Sequence, residues 1–389
     1  MRNRNVFTVL AVFALFFGLC PVGQAGEEPE TIRFGVCLSM SGEFHGYGPI
    51  HLAGISLLLN DFNSRSGEHG MRLEMILRDD KSDPEEAARI VDELASEEKV
   101  SLIIGGTVSS VAAKMVERAS ANKVVLITPS ATSPAFGYKR DWSIKILTDD
   151  IIQGSALARF IAGELGLLRT AVIYNDYNNY GPSLLSAFSP AYEDAGGEIV
   201  AEESYQWDLD ESNVPDLTGI LLVVKEMKPD VVFIPGYADD ASTLIYQSLM
   251  VNFSPVFCGG DSWTNQKIIQ ASGNNVEGSY YVGGADMSHD SEEGRRFIDL
   301  YDMSNDPYAE ESSVNGYDSL LLFIKALETD ARSGQELLDS LYDLGTVPLA
   351  AGRLRLDPET GTRKTMFIHK IVRDSDVFTS KVIATIEPE

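Results

Sequence analysis

Small hydroxyl residues gather at two points of this chain, each directly after an apolar run. One is Leu102-Ile103-Ile104-Gly105-Gly106-Thr107-Val108-Ser109-Ser110. The other is Val124-Val125-Leu126-Ile127-Thr128-Pro129-Ser130-Ala131-Thr132-Ser133-Pro134. An apolar run ending in small hydroxyls reads as a buried strand. Its carboxyl edge then presents hydroxyls and free backbone groups, and that edge is where open α/β sheets bind small ligands. Ser109 and Ser110 stand where strand gives way to helix, and the free N–H groups of a helix start suit a carboxylate. Ser130 and Thr132, on either side of Ala131, offer a backbone carbonyl and a hydroxyl. Farther on, Pro235-Gly236-Tyr237 and Gly259-Gly260-Asp261-Ser262-Trp263 also follow apolar runs. Asp261 has the charge to pair an ammonium group, and Tyr47 and Tyr180 could stack over a ligand. Taken singly, each has an ordinary structural reading: Ser109 an N-cap, Ser130 and Thr132 a Pro-bounded turn, Asp261 a capping loop residue, the tyrosines packing. Taken together they fit a zwitterion, with its carboxylate at the helix start and its ammonium on Asp261.

Signals for catalysis are weaker. There is no Gly-x-Ser-x-Gly elbow, no phosphate loop ending in Gly-Lys and no complete dinucleotide fingerprint. No serine has an evident His–Asp partner set, and of His45, His51, His69, His289 and His369 only His45 falls at a strand edge. Triads are not local in sequence, so an exported hydrolase stays as an alternative. The histidines and cysteines lack metal-ligand spacing, and Asp208-Leu209-Asp210-Glu211 lacks the glycine and glutamate of a calcium loop. No metal and no cofactor is expected.

The elements that must position these residues alternate. Strands are expected at 32–38, 73–77, 101–104 and 124–127. Helices are expected at 50–62, at 84–96 behind an Asp83 cap and Pro84, and at 109–121 behind a serine cap. The pattern restarts with strands at 170–174, 199–203, 230–235, 255–258 and 277–283, and helices at 180–195, 217–227, 238–251, 292–301 and 313–329. Strands closing the chain span 353–386. Apolar strands without alternation, separated by helices, predict parallel sheets covered on both faces. The fold class is therefore α/β, with two doubly wound parallel-sheet lobes and a hinge of several strands. Asp149-Asp150 and Gly283-Gly284 are the candidate crossings. The expected division is residues 31–148 with 284–350 in one lobe and 149–283 with 351–389 in the other. A cleft between such lobes is a favoured ligand site, and hinge closure suits it.

Residues 1–25 read as an export signal: Arg2 and Arg4, an apolar run from Val6 to Leu19, and Gly23-Gln24-Ala25 before the expected cleavage. The apolar run is short for a membrane span. An uncleaved anchor and lipidation of Cys20 are the alternatives, although Leu19 stands where the lipidation pattern wants a small residue. The expected location is the periplasm or another extracytoplasmic space. The 389-residue chain carries a formal charge of −27, which makes nucleic acid and anionic lipid poor partners. Cys37 and Cys258 lie in separate strand-like runs and are expected as buried free thiols rather than a disulfide.

At these residues the sequence resembles the type I periplasmic substrate-binding proteins of the leucine/isoleucine/valine-binding family, which serve ABC importers. The resemblance is carried by Ile32-Arg33-Phe34-Gly35-Val36 with Met40-Ser41-Gly42, Asp79-Asp80 with Asp83-Pro84, Ile104-Gly105-Gly106 with Ser109, and Thr128-Pro129-Ser130-Ala131-Thr132. Asn175-Asp176 with Tyr180-Gly181, Lys228-Pro229-Asp230-Val231-Val232 and Tyr317-Asp318 continue it. It implies a monomer that delivers an amino acid, of branched-chain or other apolar type, to permease subunits without acting as an enzyme. It implies that Ser109 and Thr132 bind the α-carboxylate. The Ser130 carbonyl, Thr132 and Asp261 would hold the ammonium, with Tyr237 alongside, and Tyr47 and Tyr180 would wall the side-chain pocket. Asp261 stands where the branched-chain binders have a glutamate. A remaining pocket residue around 312–315 is not placed. Two alternatives keep the fold: a binder of an amide, urea or aromatic acid, and a ligand sensor acting in trans.

Overall fold

The structure, a computed structural model, describes residues 29–388 apart from 210, 287–290, 305, 307–310 and 376. The expected export signal and cleavage site, Cys20, Asp210 and His289 lie outside the described residues.

The chain builds two parallel sheets. The first contains β1 (Glu30–Leu38), β2 (Met71–Asp79), β3 (Leu102–Gly105), β4 (Val125–Thr128) and β5 (Ser143–Lys145), in the order β2-β1-β3-β4-β5. The second is built on β6 (Arg169–Asn175), β7 (Glu198–Tyr205), β8 (Val231–Ile234), β9 (Val256–Gly259) and β10 (Tyr280–Gly283). The strands β3, β4, β8 and β10 are buried along their whole length, as double helical cover requires. The helix Pro84–Ser96 starts as expected: Asp83 accepts hydrogen bonds from the Glu85 and Glu86 N–H groups.

The closing strands divide. β14 (Met366–Asp374) and β15 (Val377–Ile386) extend the second sheet antiparallel, giving β15-β14-β10-β9-β8-β6-β7. β11 (Thr346–Leu349), β12 (Gly352–Asp357) and β13 (Gly361–Lys364) form a small antiparallel sheet of their own. Val347, Leu349, Leu354 and Leu356 fill the same core as β1, β3 and the helix Val314–Leu327. A division of the chain at residue 351 therefore cuts this small sheet: apolar alternation across 346–356 ties β12 to the first lobe.

Three chain crossings lie side by side between the lobes. The Thr148 hydroxyl donates to the Lys364 carbonyl at 2.9 Å and accepts from the Lys364 N–H at 2.8 Å. A side chain on Gly284 would meet the Leu147 Cδ2 methyl, so the first and second crossings pack closely there. Beside them Lys364 Nζ meets Asp318 Oδ2 at 2.7 Å, both side chains fully buried. Asp318 also accepts from the Ala350 N–H at 2.7 Å.

Two local expectations are corrected. The helix Ser109–Asn122 is preceded by Val108, not capped by Ser109, which is its first residue. The strand expected from 277 begins at Tyr280, because Gly278 adopts a left-handed φ of 84° and turns the chain there. Cys37 and Cys258 are buried and unbridged, as expected.

Candidate functional site

In each sheet the strand order reverses beside the first strand, between β1 and β3 in one and between β6 and β8 in the other. Ligands of open α/β sheets bind at such switch points, beyond the carboxyl ends of the strands. Here the two switch points face each other across one cleft of about 550 Å³ including its mouth. From the first lobe it is lined by Tyr47 after β1, Ser109 after β3, and Ser130 and Thr132 after β4. From the second come Tyr180 after β6, Tyr237 after β8 and Asp261 after β9. Seven of the eight candidate residues thus meet in one place. Ala131 does not line the cleft; its side chain is buried in the core beneath the turn.

On the first lobe the turn after β4 is tied to the helix start. The Ser133 N–H donates to Ser109 Oγ at 3.3 Å, and the Ser130 hydroxyl donates to the Thr107 carbonyl at 2.7 Å. Thr107 Oγ1 in turn accepts from the Ser39 N–H at 3.1 Å, which locks this edge to the end of β1. The first-turn N–H groups of Ser109–Asn122 have no partners within the helix, and Ser109 at its start lines the cleft.

On the second lobe Asp261 is 8% exposed and accepts a 2.7 Å hydrogen bond from the Tyr180 hydroxyl. Burial pushes its carboxyl up to about 7, with the nearby Asp150 charge acting in the same direction and the Tyr180 bond opposing. Asp150, fully buried at the start of the helix that follows the first crossing, is pushed up to about 6, also by burial. Tyr47, Tyr180 and Tyr237 are held well above the ordinary phenol range, chiefly by burial, and are neutral donors.

The lobes touch at the lip. The Tyr180 and Tyr237 rings stack at 5.0 Å, and Phe44 and Tyr47 reach Tyr237 at 5.2 and 6.0 Å. The Tyr47 hydroxyl accepts from the Ala238 N–H at 3.3 Å. Hydrophobic packing therefore runs unbroken from one lobe to the other through these rings.

The residues match the periplasmic binding protein family model over 31–374, nearly the whole described chain. The chain belongs to the periplasmic binding protein family. Among curated relatives of this binding protein, a leucine-, isoleucine-, valine-, threonine- and alanine-binding protein of Pseudomonas aeruginosa is 22% identical over 348 residues, covering 88% of this chain and 91% of that one. The Leu/Ile/Val-binding protein of Escherichia coli K12 is 24% identical over 252 residues, 64% of this chain and 66% of that one. The fold matches a branched-chain amino acid transporter substrate-binding protein of Streptococcus pneumoniae in complex with isoleucine, with a TM-score of 0.81, 23% identity, and 91% and 99% of the two chains covered. It also matches a solute-binding protein of Rhodopseudomonas palustris in complex with 3,4-dihydroxybenzoic acid, with a TM-score of 0.79, 21% identity, and 92% and 97% covered. The two-lobed α/β architecture and the resemblance to the leucine/isoleucine/valine-binding group are thereby established. Among the described residues of this binding protein no helix is long and apolar enough to cross a membrane.

Several cleft residues escape a reading of strand edges. His51 and Asn315 lie on helices, and Asp150 lies beneath the floor rather than in the lining. His45, the one histidine at a strand edge, is exposed, with Nδ1 2.8 Å from the Gly42 carbonyl. His51 stands in the cleft instead, with Nε2 2.8 Å from Ser130 Oγ. One signal could have found it: position 51 follows Tyr47 by four residues, so a helix places both on one face. Ser312 and Asn315 line the cleft from the segment in which a pocket residue was expected but not placed.

Proposed function

We propose that this binding protein captures a free α-amino acid in the interlobe cleft and delivers it to the permease of an ABC importer. One observation carries the ligand class: a helix start with Ser109 on one lobe faces a buried carboxyl, Asp261, on the other, within a single cleft. The ligand carboxylate would take the helix N–H groups and the Ser109 hydroxyl. The ammonium would lie between Asp261, the Ser130 carbonyl and Thr132. Asp150 beneath Thr132 would add negative potential to that end. The relatives' names support the class of ligand and the transport role. Permease and ATPase genes beside this one would support the delivery step.

Calorimetric titration of ligand-free protein with the twenty amino acids tests the reading. At least one is expected to bind, and no binding by any of them removes it.

A hydroxylated aromatic acid is a second reading, favoured by the stacked Tyr180 and Tyr237 rings and by the raised Asp261 carboxyl, which when protonated can donate to an anion. The pH dependence separates the two. An ammonium needs Asp261 ionised, so its binding releases the proton that Asp261 holds below about 7. The dissociation constant of an amino acid is then expected to rise roughly tenfold per pH unit as pH falls from 7 to 5. An anion without an ammonium would bind more tightly over the same interval. Titrations at pH 8, 6 and 5 read the sign directly.

A further inference from the structure

Most polar groups lining the cleft are committed within the protein. The Ser130 hydroxyl goes to the Thr107 carbonyl, the Ser262 hydroxyl to the Gly236 carbonyl at 2.7 Å, and the Thr264 hydroxyl to the Asp261 carbonyl at 2.7 Å. Asn265 Oδ1 accepts from the Lys267 N–H at 2.9 Å. Two atoms on the first lobe's wall are not so committed. His51 is 3% exposed and Asn315 5% exposed, and His51 Nδ1 and Asn315 Oδ1 are buried without a hydrogen-bond partner among the described residues. Both side chains line the cleft.

Their closeness is built into the fold. The helices Gly48–Ser64 and Val314–Leu327 approach backbone to backbone, with Gly316 against the His51 carbonyl and Gly54 against the Ser313 carbonyl. A methyl group at either glycine would overlap the facing chain. The crossing therefore sets positions 51 and 315 next to each other.

The proton positions follow from geometry. Ser130 has one hydroxyl proton, and the Thr107 carbonyl, which can only accept, takes it at 2.7 Å. In the 2.8 Å contact with His51, Ser130 Oγ must therefore accept and His51 Nε2–H must donate. Burial holds the imidazole pKa down to about 4, so the ring is neutral and Nδ1 is a bare acceptor. Asn315 Oδ1 is a second acceptor. An alkyl side chain in this end of the cleft would leave both without donors, which is costly in a buried site. A hydroxyl brings one donor for two acceptors. A cationic side chain brings enough donors but would bury its charge against a neutral histidine and a neutral amide; among the described residues Asp261 is the one acid in the lining, and it stands on the opposite lobe. A primary carboxamide brings two N–H donors and no charge, and its carbonyl can take the Asn315 amide N–H in return.

We propose that His51 and Asn315 are the specificity-determining pair of this cleft, and that its ligand is an amino acid with a carboxamide side chain rather than a branched aliphatic one. The inference rests on the amino-acid reading above and sharpens it.

Asparagine and leucine are near-isosteres, so the pair isolates the polar contribution, with glutamine and valine as the longer and shorter members of a calorimetric panel. The better carboxamide is expected to bind at least tenfold more tightly than leucine. Leucine binding as tightly or more tightly overturns the inference while leaving an amino-acid binder standing. Failure of all twenty amino acids to bind overturns the underlying reading instead. Asn315→Ala removes one acceptor without crowding the helix crossing, and is expected to cut the carboxamide-to-leucine affinity ratio at least tenfold. An unchanged ratio in that variant, with its unfolding midpoint preserved, also overturns the assignment.

Discussion

Asp261→Ala is expected to weaken amino-acid binding by roughly two to four orders of magnitude while leaving the ligand-free protein at least as stable at pH 8. The first half follows from geometry. Removing Asp261 leaves a ligand ammonium enclosed without its counter-charge, and breaking a buried pair in that way costs about 3–5 kcal/mol. The second half follows from the carboxyl's raised pKa. Its folded value of about 7 lies above its ordinary value, so between about pH 4 and 7 the folded state holds a proton that the unfolded state has lost. Stability on this account rises as pH falls through that window, and at pH 8 the ionised, buried Asp261 is a liability in the absence of ligand. Deleting it relieves that liability and destroys the site, which separates a ligand-binding role from a structural one. Asp261→Glu, which keeps the charge and lengthens its reach, should recover part of the affinity. Affinity within threefold of wild type in Asp261→Ala, by calorimetry, would remove Asp261 from the site.

The other large effect lies away from the cleft. Lys364→Met is expected to lower stability by about 3–5 kcal/mol, because it leaves the fully buried Asp318 carboxylate with only backbone N–H donors at Ala350 and Ala351. A buried pair need not stabilise relative to apolar packing, since desolvation offsets much of the attraction. The double variant Lys364→Met/Asp318→Leu should therefore be less destabilised than Lys364→Met alone. Urea unfolding midpoints of the three proteins decide it. A single variant within 1 kcal/mol of wild type would mean that water or rearrangement satisfies Asp318.

These two sites differ in how far the sequence discloses them. Asp261 was legible because a glycine pair and an acid directly after an apolar run mark a strand edge, and edges at switch points collect ligands. Ser109, Ser130, Thr132 and the tyrosines share that local signature. The partnership of Lys364 and Asp318 spans 46 positions and has no local mark. The same holds for His51 and Asn315, whose meeting depends on two glycines letting distant helices touch. Short elements were also lost: β5 is three residues long and flanked by loops, and the helix Gly334–Asp343 follows a turn with little apolar sequence before it. Periodicity discloses single elements, and tertiary crossings decide which distant ones meet. Ser109 illustrates the remaining ambiguity. The strand-to-helix handover was legible, but whether the serine capped the helix or began it depended on the backbone angles of Val108.

The triple crossing at Thr148, Gly284 and Lys364 has a mechanical consequence. Strips of chain held side by side and laced by hydrogen bonds behave as a leaf flexure: compliant about one axis, stiff against twist and sliding. A swivel on a single strand would let the halves meet in many registers. A flexure lets them meet in one. On the proposed reading, a solute that first settled on the Ser109 edge would be met by Asp261 along a fixed arc, and the same arc, reversed, would let it go.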